Sequence, residues 1–267
     1  MRKIVSNAIQ TVKEAFPFQR YMDHTQYSCA NIATTVLRHV PIGSKILDFG
    51  SGPCDKTATL SVLGYRCSAI DELKDDWHLE PGNREKILSF AAQMGIDLYV
   101  STNASVLETD NVFDLVMMND VIEHLHQSPR RLLNELLEKL KPNGLLLITV
   151  PNAVNIRKRL DVMLGRTNYP PFESFFWYDE WRGHVREYTR HDLESLAELL
   201  GIECRELRAC DHMIDKVPYR LRWAYKSVTS VATAWKDSWL LLARKPAAWS
   251  PACTPAAPMS ARYDANT

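Results

Sequence analysis

The sequence predicts an α/β fold: a doubly wound, mostly parallel sheet of seven strands with helices packed on both faces. Strand-like and helix-like runs alternate from residue 45 to about 150, a pattern typical of a parallel sheet covered by helices. One apolar run, Lys45–Phe49, breaks into a glycine-rich turn at Gly50 and Gly52, and a helix-like segment follows. Two strand-like runs after residue 200 complete the set of seven.

The individual elements follow from apolar runs and from the residues that interrupt them. We predict strands at residues 45–49, 65–70, 97–101, 113–118, 145–150, 203–208 and 238–244. Leucines from Leu132 to Leu140 mark one face of a helix that Pro142 and the residues after it should stop. A further helix should begin at Thr189, because Asp192 three residues later can complete a near capping box, and it should end at Gly201.

Four regions differ in composition. Residues 1–40 look helical and are predicted to form a cap over the central domain, residues 41–245. Within that domain, residues 153–183 interrupt the alternation with a cluster of aromatic residues, which we interpret as a lid insertion. Residues 246–267 are rich in Pro, Ala and Ser and are predicted to be a disordered tail.

Composition excludes several classes of protein. The 267 residues contain 32 basic and 32 acidic side chains, so nothing suggests a chain held to nucleic acid by overall charge. The longest apolar runs have the length of strands, and the first residues lack the apolar core of a secretion signal. Six scattered cysteines suggest reduced thiols. We therefore expect a cytoplasmic protein, and the sequence leaves its oligomeric state open.

The glycine turn predicts a site for a nucleoside cofactor. Gly50 and Gly52 allow a tight turn and close approach of the backbone to a ligand, and the helix behind them offers free N–H groups. Asp71 ends the second strand, where an acid suits ribose hydroxyls. A nicotinamide dinucleotide is a distant alternative, because Asp55 occupies the third glycine position of its fingerprint.

The motif Asp48-Phe49-Gly50-Ser51-Gly52 resembles motif I of the class I methyltransferases that depend on S-adenosylmethionine (SAM), with Cys54 at their usual third glycine. The segments 119–125, 140–152 and 183–189 also resemble segments of this family, the last in members linked to glycan and polysaccharide synthesis. The resemblance implies a Rossmann-like methyltransferase fold whose last strand is antiparallel, and SAM as cofactor.

The resemblance also assigns roles to individual residues. Cofactor binding is implied for Asp48, Gly50, Ser51, Gly52, Asp71, Asn103, Ala104 and Asn119. Within this set, Asp71 is expected to hold the ribose, and Asn103 with Ala104 to lie near the adenine. Asn119 and Asp120 are expected to face the region of methyl transfer.

Two kinds of catalysis fit the segment after the fourth strand. His124 can remove a proton from an acceptor hydroxyl, since the ordinary pKa of histidine is near neutrality. Asp120, Glu123, His124 and the distant His184 resemble a pattern that binds a divalent metal in ubiquinone-pathway O-methyltransferases. A metal such as Mg²⁺ would lower the pKa of the acceptor instead. Catalytic roles are therefore predicted for His124, Asp120 and His184.

The acceptor is the least constrained part of the prediction. Aromatic and charged residues of the lid, such as Trp177 and Trp181, suit a sugar, so our first expectation is methylation of a glycan or lipid-linked hydroxyl. A small phenolic or quinone-precursor acceptor with metal assistance is the first alternative, and a protein that binds SAM or S-adenosylhomocysteine (SAH) without catalysis is the second. The basic residues Arg157, Lys158 and Arg159, with Arg166, suggest a solvated face, or contact with a phosphate or the inner face of a membrane.

Overall fold

A seven-stranded sheet forms the centre of the protein. The structure is a computed structural model and describes residues 1–167, 169, 171–178 and 181–253. Its strands are β1 (Lys45–Phe49), β2 (Arg66–Asp71), β3 (Asp97–Val100), β4 (Phe113–Asn119), β5 (Leu140–Pro151), β6 (Glu203–Cys210) and β7 (Ser238–Arg244).

The strand order is β3-β2-β1-β4-β5-β7-β6. The first five strands are parallel, and β7 runs antiparallel between β5 and β6. The predicted fold class is therefore confirmed, including the reversed last strand. The chain reverses its path through the sheet between β1 and β4, and a ligand crevice is expected at the carboxyl ends of these strands.

Helices cover both faces of the sheet. They are α1 (Arg2–Ala15), α2 (Tyr21–His39), α3 (Asp55–Val62), α4 (Asn83–Gln93), α5 (Arg130–Lys139), α6 (Ile156–Met163), α7 (Phe172–Trp177), α8 (Arg190–Leu199) and α9 (Arg222–Val231). One apolar core packs helices α1, α2, α3 and α4 against one face of the sheet. A second apolar core packs α5 and α8 against the opposite face of the sheet. None of the described helices is long and apolar enough to cross a bilayer.

The predicted start of one strand is wrong by five residues, and several other strand boundaries differ from the prediction by one or two residues. Strand β5 begins at Leu140, directly after α5, so the residues expected to stop the helix lie inside the strand. Asn143 adopts a left-handed φ of 64°, and the register against β4 shifts between Phe113 and Leu115. A bulge thus lets the chain continue as a strand through Pro142. Strand β2 ends one residue later than predicted, at Asp71.

The start of α8 confirms the prediction from sequence. The Thr189 side chain accepts a hydrogen bond from the Asp192 backbone N–H, and the Asp192 carboxylate accepts one from the Thr189 N–H. Such a reciprocal cap contributes on the order of 1 kcal/mol to helix stability. The cap fixes the chain direction just after residues 183–188, which matter for the site described below.

The segment from residue 246 onward corrects the prediction of a disordered tail in its first part. Trp249 packs against the core, and its indole N–H donates to the Leu200 carbonyl at 2.8 Å. The Ala252 N–H donates to Asn134 at 3.0 Å. A single large ring therefore fastens residues that composition alone marks as unstructured, and residues 254–267 lie outside the described part of the chain.

The aromatic segment predicted as a lid contains α6 and α7. Its rings are exposed: Phe172 and Trp177 keep 75% of their surface in contact with solvent, and Tyr169 keeps 79%. Positions 179 and 180, the charged part of the predicted lid, lie outside the described residues. The exposed rings therefore lie on the surface of the protein rather than in its core.

Candidate active site

The glycine loop closes the carboxyl end of β1 against two neighbours. Gly50 donates its N–H to the carbonyl of Ile70 at 2.8 Å and has a φ of +73°. A Cβ at this position would lie 2.3 Å from Val121, so only glycine fits. Gly52 also has a positive φ, +53°, but a Cβ there would meet nothing within 4 Å. The surface beside Gly52 is thus open to a ligand, as a cofactor site requires.

The departure at Cys54 does not change the turn. Cys54 adopts the left-handed conformation, φ 65°, that the replaced glycine would suit, at a cost of about 1–2 kcal/mol. Its thiol is buried and lies 3.5 Å from the Ser51 hydroxyl, and burial raises the pKa of the thiol. Cys54 therefore fills space under the loop as an inert, protonated thiol.

Asp71 links the loop to the end of β2. One carboxylate oxygen accepts the N–H of Gly52 at 2.7 Å, and the other accepts the N–H of Leu73 at 2.8 Å. Burial raises the pKa of Asp71, and these two backbone donors oppose the rise. A carboxylate accepts up to about four hydrogen bonds, so Asp71 keeps capacity for ribose hydroxyls while it shapes the loop.

Below the loop, Asp48 and Asn119 connect the ends of β1 and β4. The Thr57 hydroxyl donates to one Asp48 oxygen at 2.5 Å, and the Asn119 amide donates to the other at 3.4 Å. The Asn119 oxygen in turn accepts the Thr149 hydroxyl at 3.3 Å. Burial raises the pKa of Asp48 to about 7 despite these donors. Both predicted binding residues thus support the loop from beneath.

Asp120 directly follows β4 and has a strained backbone conformation with a φ of 56°. Its carboxylate is 3.7 Å from the Lys56 ammonium and 3.3 Å from the Thr149 hydroxyl. Burial disfavours the charged form of Lys56, but Asp55 and Asp120 outweigh it and raise the pKa of Lys56. Asp120 is therefore paired with a lysine that the sequence analysis did not single out.

The two residues predicted near the adenine follow β3 at the same edge of the sheet. Ala104 is fully buried, whereas Asn103 is exposed, and its carbonyl accepts the Ser101 hydroxyl at 3.1 Å. Ser51 is buried within the glycine loop, and its N–H points to the Ile70 carbonyl at 3.3 Å. The positions are compatible with the expected roles, which remain predictions.

Glu123, His124 and His184 come together in a cluster, which we call the acceptor side of the site. One possible ligand atom of each lies within 4.8 Å of those of the other two, and the imidazole rings meet edge to face at 4.9 Å. Asp120, the fourth predicted metal ligand, is not in this group. The described residues therefore bring three of the four predicted ligands into one cluster, from two distant parts of the chain.

Hydrogen bonds orient both histidines. The Nδ1–H of His124 donates to the Arg182 carbonyl at 2.9 Å, and the Nδ1–H of His184 donates to Glu187 at 2.8 Å. Each ring therefore presents the lone pair of Nε2, the arrangement that metal-binding histidines commonly show. Burial and the neighbouring His124 lower the pKa of His184 to about 4, which keeps the ring neutral as a ligand must be.

Backbone contacts bring His184 to this position. The carbonyl of Glu123 accepts the N–H of Val185 at 2.7 Å and that of Arg186 at 3.2 Å. The Arg182 side chain also donates a hydrogen bond to Glu72, which follows Asp71 in the chain, at 2.5 Å. The segment 182–186 is thus fastened both to the residues after β4 and to the cofactor side.

Glu123 could provide a carboxylate ligand to a cation. It is fully buried, and neither carboxylate oxygen has a hydrogen-bond partner among the described residues. Burial, with the nearby charge of Asp120, raises the pKa of Glu123 to about 9. An unpaired buried carboxylate is costly, so a divalent cation between it and the two imidazoles fits this donor set.

Besides Lys56, the sequence analysis did not single out Glu187 or His78, which lie near the predicted site residues. Glu187 holds His184 and also forms an ion pair with the buried Lys158. His78, 2% exposed, lies close to Asp71, and its ring nitrogens have no hydrogen-bond partner among the described residues. The spacing from His184 to Glu187 was visible in the sequence, but no regular element there made it meaningful.

Known proteins resemble this chain over much of its sequence. A family model for a methyltransferase domain matches residues 18–207, which is more than half of the chain. The ubiquinone biosynthesis O-methyltransferase of Rickettsia prowazekii is 33% identical over 109 residues, 40% of this chain and 40% of its own. That of Rickettsia canadensis is 29% identical over 66% of this chain and 70% of its own. Several such curated relatives are thus matched over only about two fifths of their length.

Solved structures support the fold. A SAM-dependent methyltransferase from Aquifex aeolicus superposes with a TM-score of 0.53 at 15% identity, over 88% of this chain and 97% of that one. At this identity the likeness concerns the architecture alone. The overall fold therefore has a counterpart in a solved structure.

Proposed function

The chain belongs to the class I SAM-dependent methyltransferase family, and we propose that it transfers the methyl group of SAM to a phenolic oxygen with assistance from a divalent metal. The cluster of Glu123, His124 and His184 carries this proposal. A hydroxyl acceptor must lose its proton, and the cluster lies at the end of β4, next to the cofactor loop. The curated relatives, which are named ubiquinone O-methyltransferases, favour a phenol over the sugar hydroxyl expected first.

SAM is the cofactor, and the residues around the glycine loop fit it. SAM supplies a methyl group already activated on a sulfonium, so the protein must hold the acceptor oxygen in line with that methyl. Gly52 leaves open space for the cofactor, and Asp71 offers acceptor capacity for the ribose hydroxyls. Asp48 and Asn119 keep the loop and the end of β4 in register beneath it.

Three side chains would hold the metal. A divalent ion bound there would lower the pKa of the acceptor hydroxyl and so favour its reactive anion. Glu123 would give a carboxylate oxygen, and His124 and His184 their Nε2 atoms, with Arg182 and Glu187 fixing the rings. Two imidazoles in the set suit Mn²⁺ or Zn²⁺ better than Mg²⁺. Without a metal, His124 is the group that would take the proton.

A sugar or lipid-linked hydroxyl is the second candidate. The exposed rings of Phe172, Phe176 and Trp177 could stack on a sugar or contact an apolar chain of the acceptor, and they favour a substrate larger than a simple phenol. The same rings, with Met163 at 81% exposure, would suit peripheral contact with a membrane. Vesicle sedimentation of the full chain with and without Trp177→Ala would test that contact.

The experiment that tests the proposal measures SAH release from SAM by metal-stripped protein after addition of Mn²⁺, Zn²⁺ or Mg²⁺. Catechol, phenol and methyl glucoside serve as acceptors. We expect turnover with catechol, its loss after chelation and its return with metal. Turnover only with the glucoside would support the second candidate, and turnover that ignores chelation would remove the metal from the mechanism. SAH binding without turnover on any acceptor would favour a binding protein.

A further inference from the structure

A cavity of about 660 Å³ opens next to His184. Helix α6 forms one wall, and the segment that carries His184 forms another. Its polar lining consists mainly of Arg157, Lys158, Asp161, Tyr169, Arg186 and Glu187. The volume lies within the range of small-molecule sites.

Two of the three cations in the lining are already neutralised. Lys158 is buried and forms an ion pair with Glu187, the residue that orients His184. Arg186 bonds Asp192 at 3.0 Å and lies over the Tyr188 ring. These contacts fix the walls of the cavity and leave those two charges with partners inside the protein.

Arg157 differs from both. Within the described part of the chain it has no ion pair, hydrogen bond or ring contact, and it is exposed at the cavity. The acid on its helix, Asp161, faces Arg166 at 3.8 Å instead. Burial lowers the pKa of the adjacent Lys158 to about 8, and the charge of Arg157 adds to this effect, whereas Glu123 opposes it.

We propose that this cavity is an anion subsite for the acceptor, in which Arg157 binds a carboxylate or phosphate carried by the substrate. The inference rests on the proposed function, because His184 lines the cavity and also belongs to the cluster that would hold the reacting hydroxyl. An anion here gives Arg157 the partner that it lacks among the described residues, and the planar guanidinium can bind the anion through two parallel hydrogen bonds. The acceptor class is then a hydroxylated ring that also bears an acidic group.

The test measures binding without any methyl transfer. Phenyl phosphate, benzoate and the neutral control benzyl alcohol are titrated calorimetrically into the full chain saturated with SAH, at low and high salt. Wild-type protein should bind at least one of the anions at least about 10-fold more tightly than benzyl alcohol, with affinity that falls as salt rises. The relative affinity of phenyl phosphate and benzoate then identifies the acidic group.

Two variants complete the test. Arg157→Gln should weaken binding of the anion about 10-fold, whereas Arg131→Gln removes the same charge from an exposed pair on α5 and should leave binding unchanged. Equal affinity of wild type and Arg157→Gln, or equal affinity for the anions and benzyl alcohol, would overturn the inference. Because the titration involves no turnover, failure of the methyl-transfer proposal would appear separately, in the SAH-release assay.

A kinetic comparison sharpens the result once turnover of catechol is established. With 3,4-dihydroxybenzoate, Arg157→Gln should raise KM about 10-fold and leave kcat unchanged. With catechol, which lacks the carboxylate, neither constant should change. An equal rise of KM for both acceptors would mean that Arg157 affects the shape of the cavity without binding the anion, and would refute the proposed subsite.

Discussion

The cofactor side and the acceptor side of the crevice are built in different ways. Around the glycine loop, the acids have partners in nearby loops, in α3 and in the sheet: Asp71 accepts two backbone N–H groups, and Asp48 accepts hydrogen bonds from Thr57 and Asn119. On the acceptor side, Glu123 is buried without a hydrogen-bond partner among the described residues, and the rings of α7 face solvent.

The two sides also differ in how far apart their residues are in the chain. The loop and its acid belong to consecutive elements, β1, α3 and β2, whose geometry is set by strand pairing. The acceptor cluster joins residues that follow β4 to residues that precede α8, through backbone hydrogen bonds from Val185 and Arg186 to Glu123. Local chain geometry thus builds the glycine loop and its contact with Asp71, whereas docking of a distant segment brings His184 to Glu123 and His124.

The largest expected effect tests whether the cofactor side is as rigid as this comparison implies. Gly50→Ala places a Cβ 2.3 Å from Val121 and forces alanine to a φ of +73°. Overpacking and the left-handed backbone together should cost about 3 kcal/mol of unfolding free energy. Urea denaturation and SAH titration would measure both consequences.

The matched control is Gly52→Ala, where the added Cβ meets nothing within 4 Å. The left-handed φ alone should cost about 1 kcal/mol. If the two variants lose equal stability, contact with Val121 does not define the loop, and the contrast between the two sides weakens.

The second prediction concerns the acceptor side. Glu123→Gln replaces a buried acid whose raised pKa of about 9 keeps it neutral at pH 7 with an uncharged side chain of the same shape, so the fold should be about as stable as wild type at pH 7. Affinity for Mn²⁺, measured by electron paramagnetic resonance, should fall at least about 100-fold, with SAH affinity unchanged. Asp120→Asn should have a much smaller effect on Mn²⁺, since Asp120 is paired with Lys56. Equal losses in both variants would return Asp120 to the ligand set.

A third substitution tests the predicted role of Asp71 in binding the ribose hydroxyls. Asp71→Asn retains a hydrogen-bonding side chain but loses the charge that strengthens bonds to hydroxyls, so SAH affinity should fall by about 2 kcal/mol, roughly 30-fold. Mn²⁺ binding should be unaffected if the two sides are independent. Calorimetry with both ligands on the same preparation measures this, and unchanged SAH affinity would remove Asp71 from the site.

The smallest expected effect is a pH dependence of stability. The pKa of Asp48 is about 7 in the fold, against 3.8 for the free side chain, chiefly because of burial, with Lys56 lowering and Asp55 raising it. A raised acid pKa means that Asp48 stabilises the fold at low pH and that this contribution is lost as pH rises through 7. Between pH 6 and 8 the loss should be about 1.4 kcal/mol.

Asp48→Asn should abolish that part of the pH dependence. Thermal or urea unfolding of wild type and variant at pH 6, 7 and 8 would reveal the difference. Parallel pH profiles for the two proteins would show that Asp48 remains ionised beneath the loop, held there by Thr57 and Asn119.

Most of the sheet was predictable because its residues alternate with clear helix and turn signals. The predictions that failed share a cause: a local signal was overruled by a distant contact. Pro142 and Gly144 are typical of a helix stop, yet Leu140 before them and Leu145 after them both pair with β4, so the strand continues across them. Trp249 lies in a stretch of low complexity, yet a core position and the Leu200 carbonyl fasten it.

The site divides along the same line. Motif spacing suggested the loop residues and Asp71, and the left-handed Cys54 shows why a departure from the motif was tolerated. The grouping of His184 with Glu123 depends on backbone hydrogen bonds between loops, which leave no periodic trace in the sequence. Lys56 was hidden because a lysine at a helix start has no distinctive meaning until Asp120 is placed beside it.

The position of β7 constrains how the protein can be made. This strand lies between β5 and β6, and β6 pairs with no other strand in the described sheet. During synthesis, residues 203–210 therefore have no sheet neighbour until residues 238–244 leave the ribosome. The edge of β5 stays open for the same interval, and unpaired edges invite association with other chains. Nascent chains halted before residue 238 should consequently depend on chaperones. Chains whose residues 238–245 have left the ribosome can complete the sheet themselves.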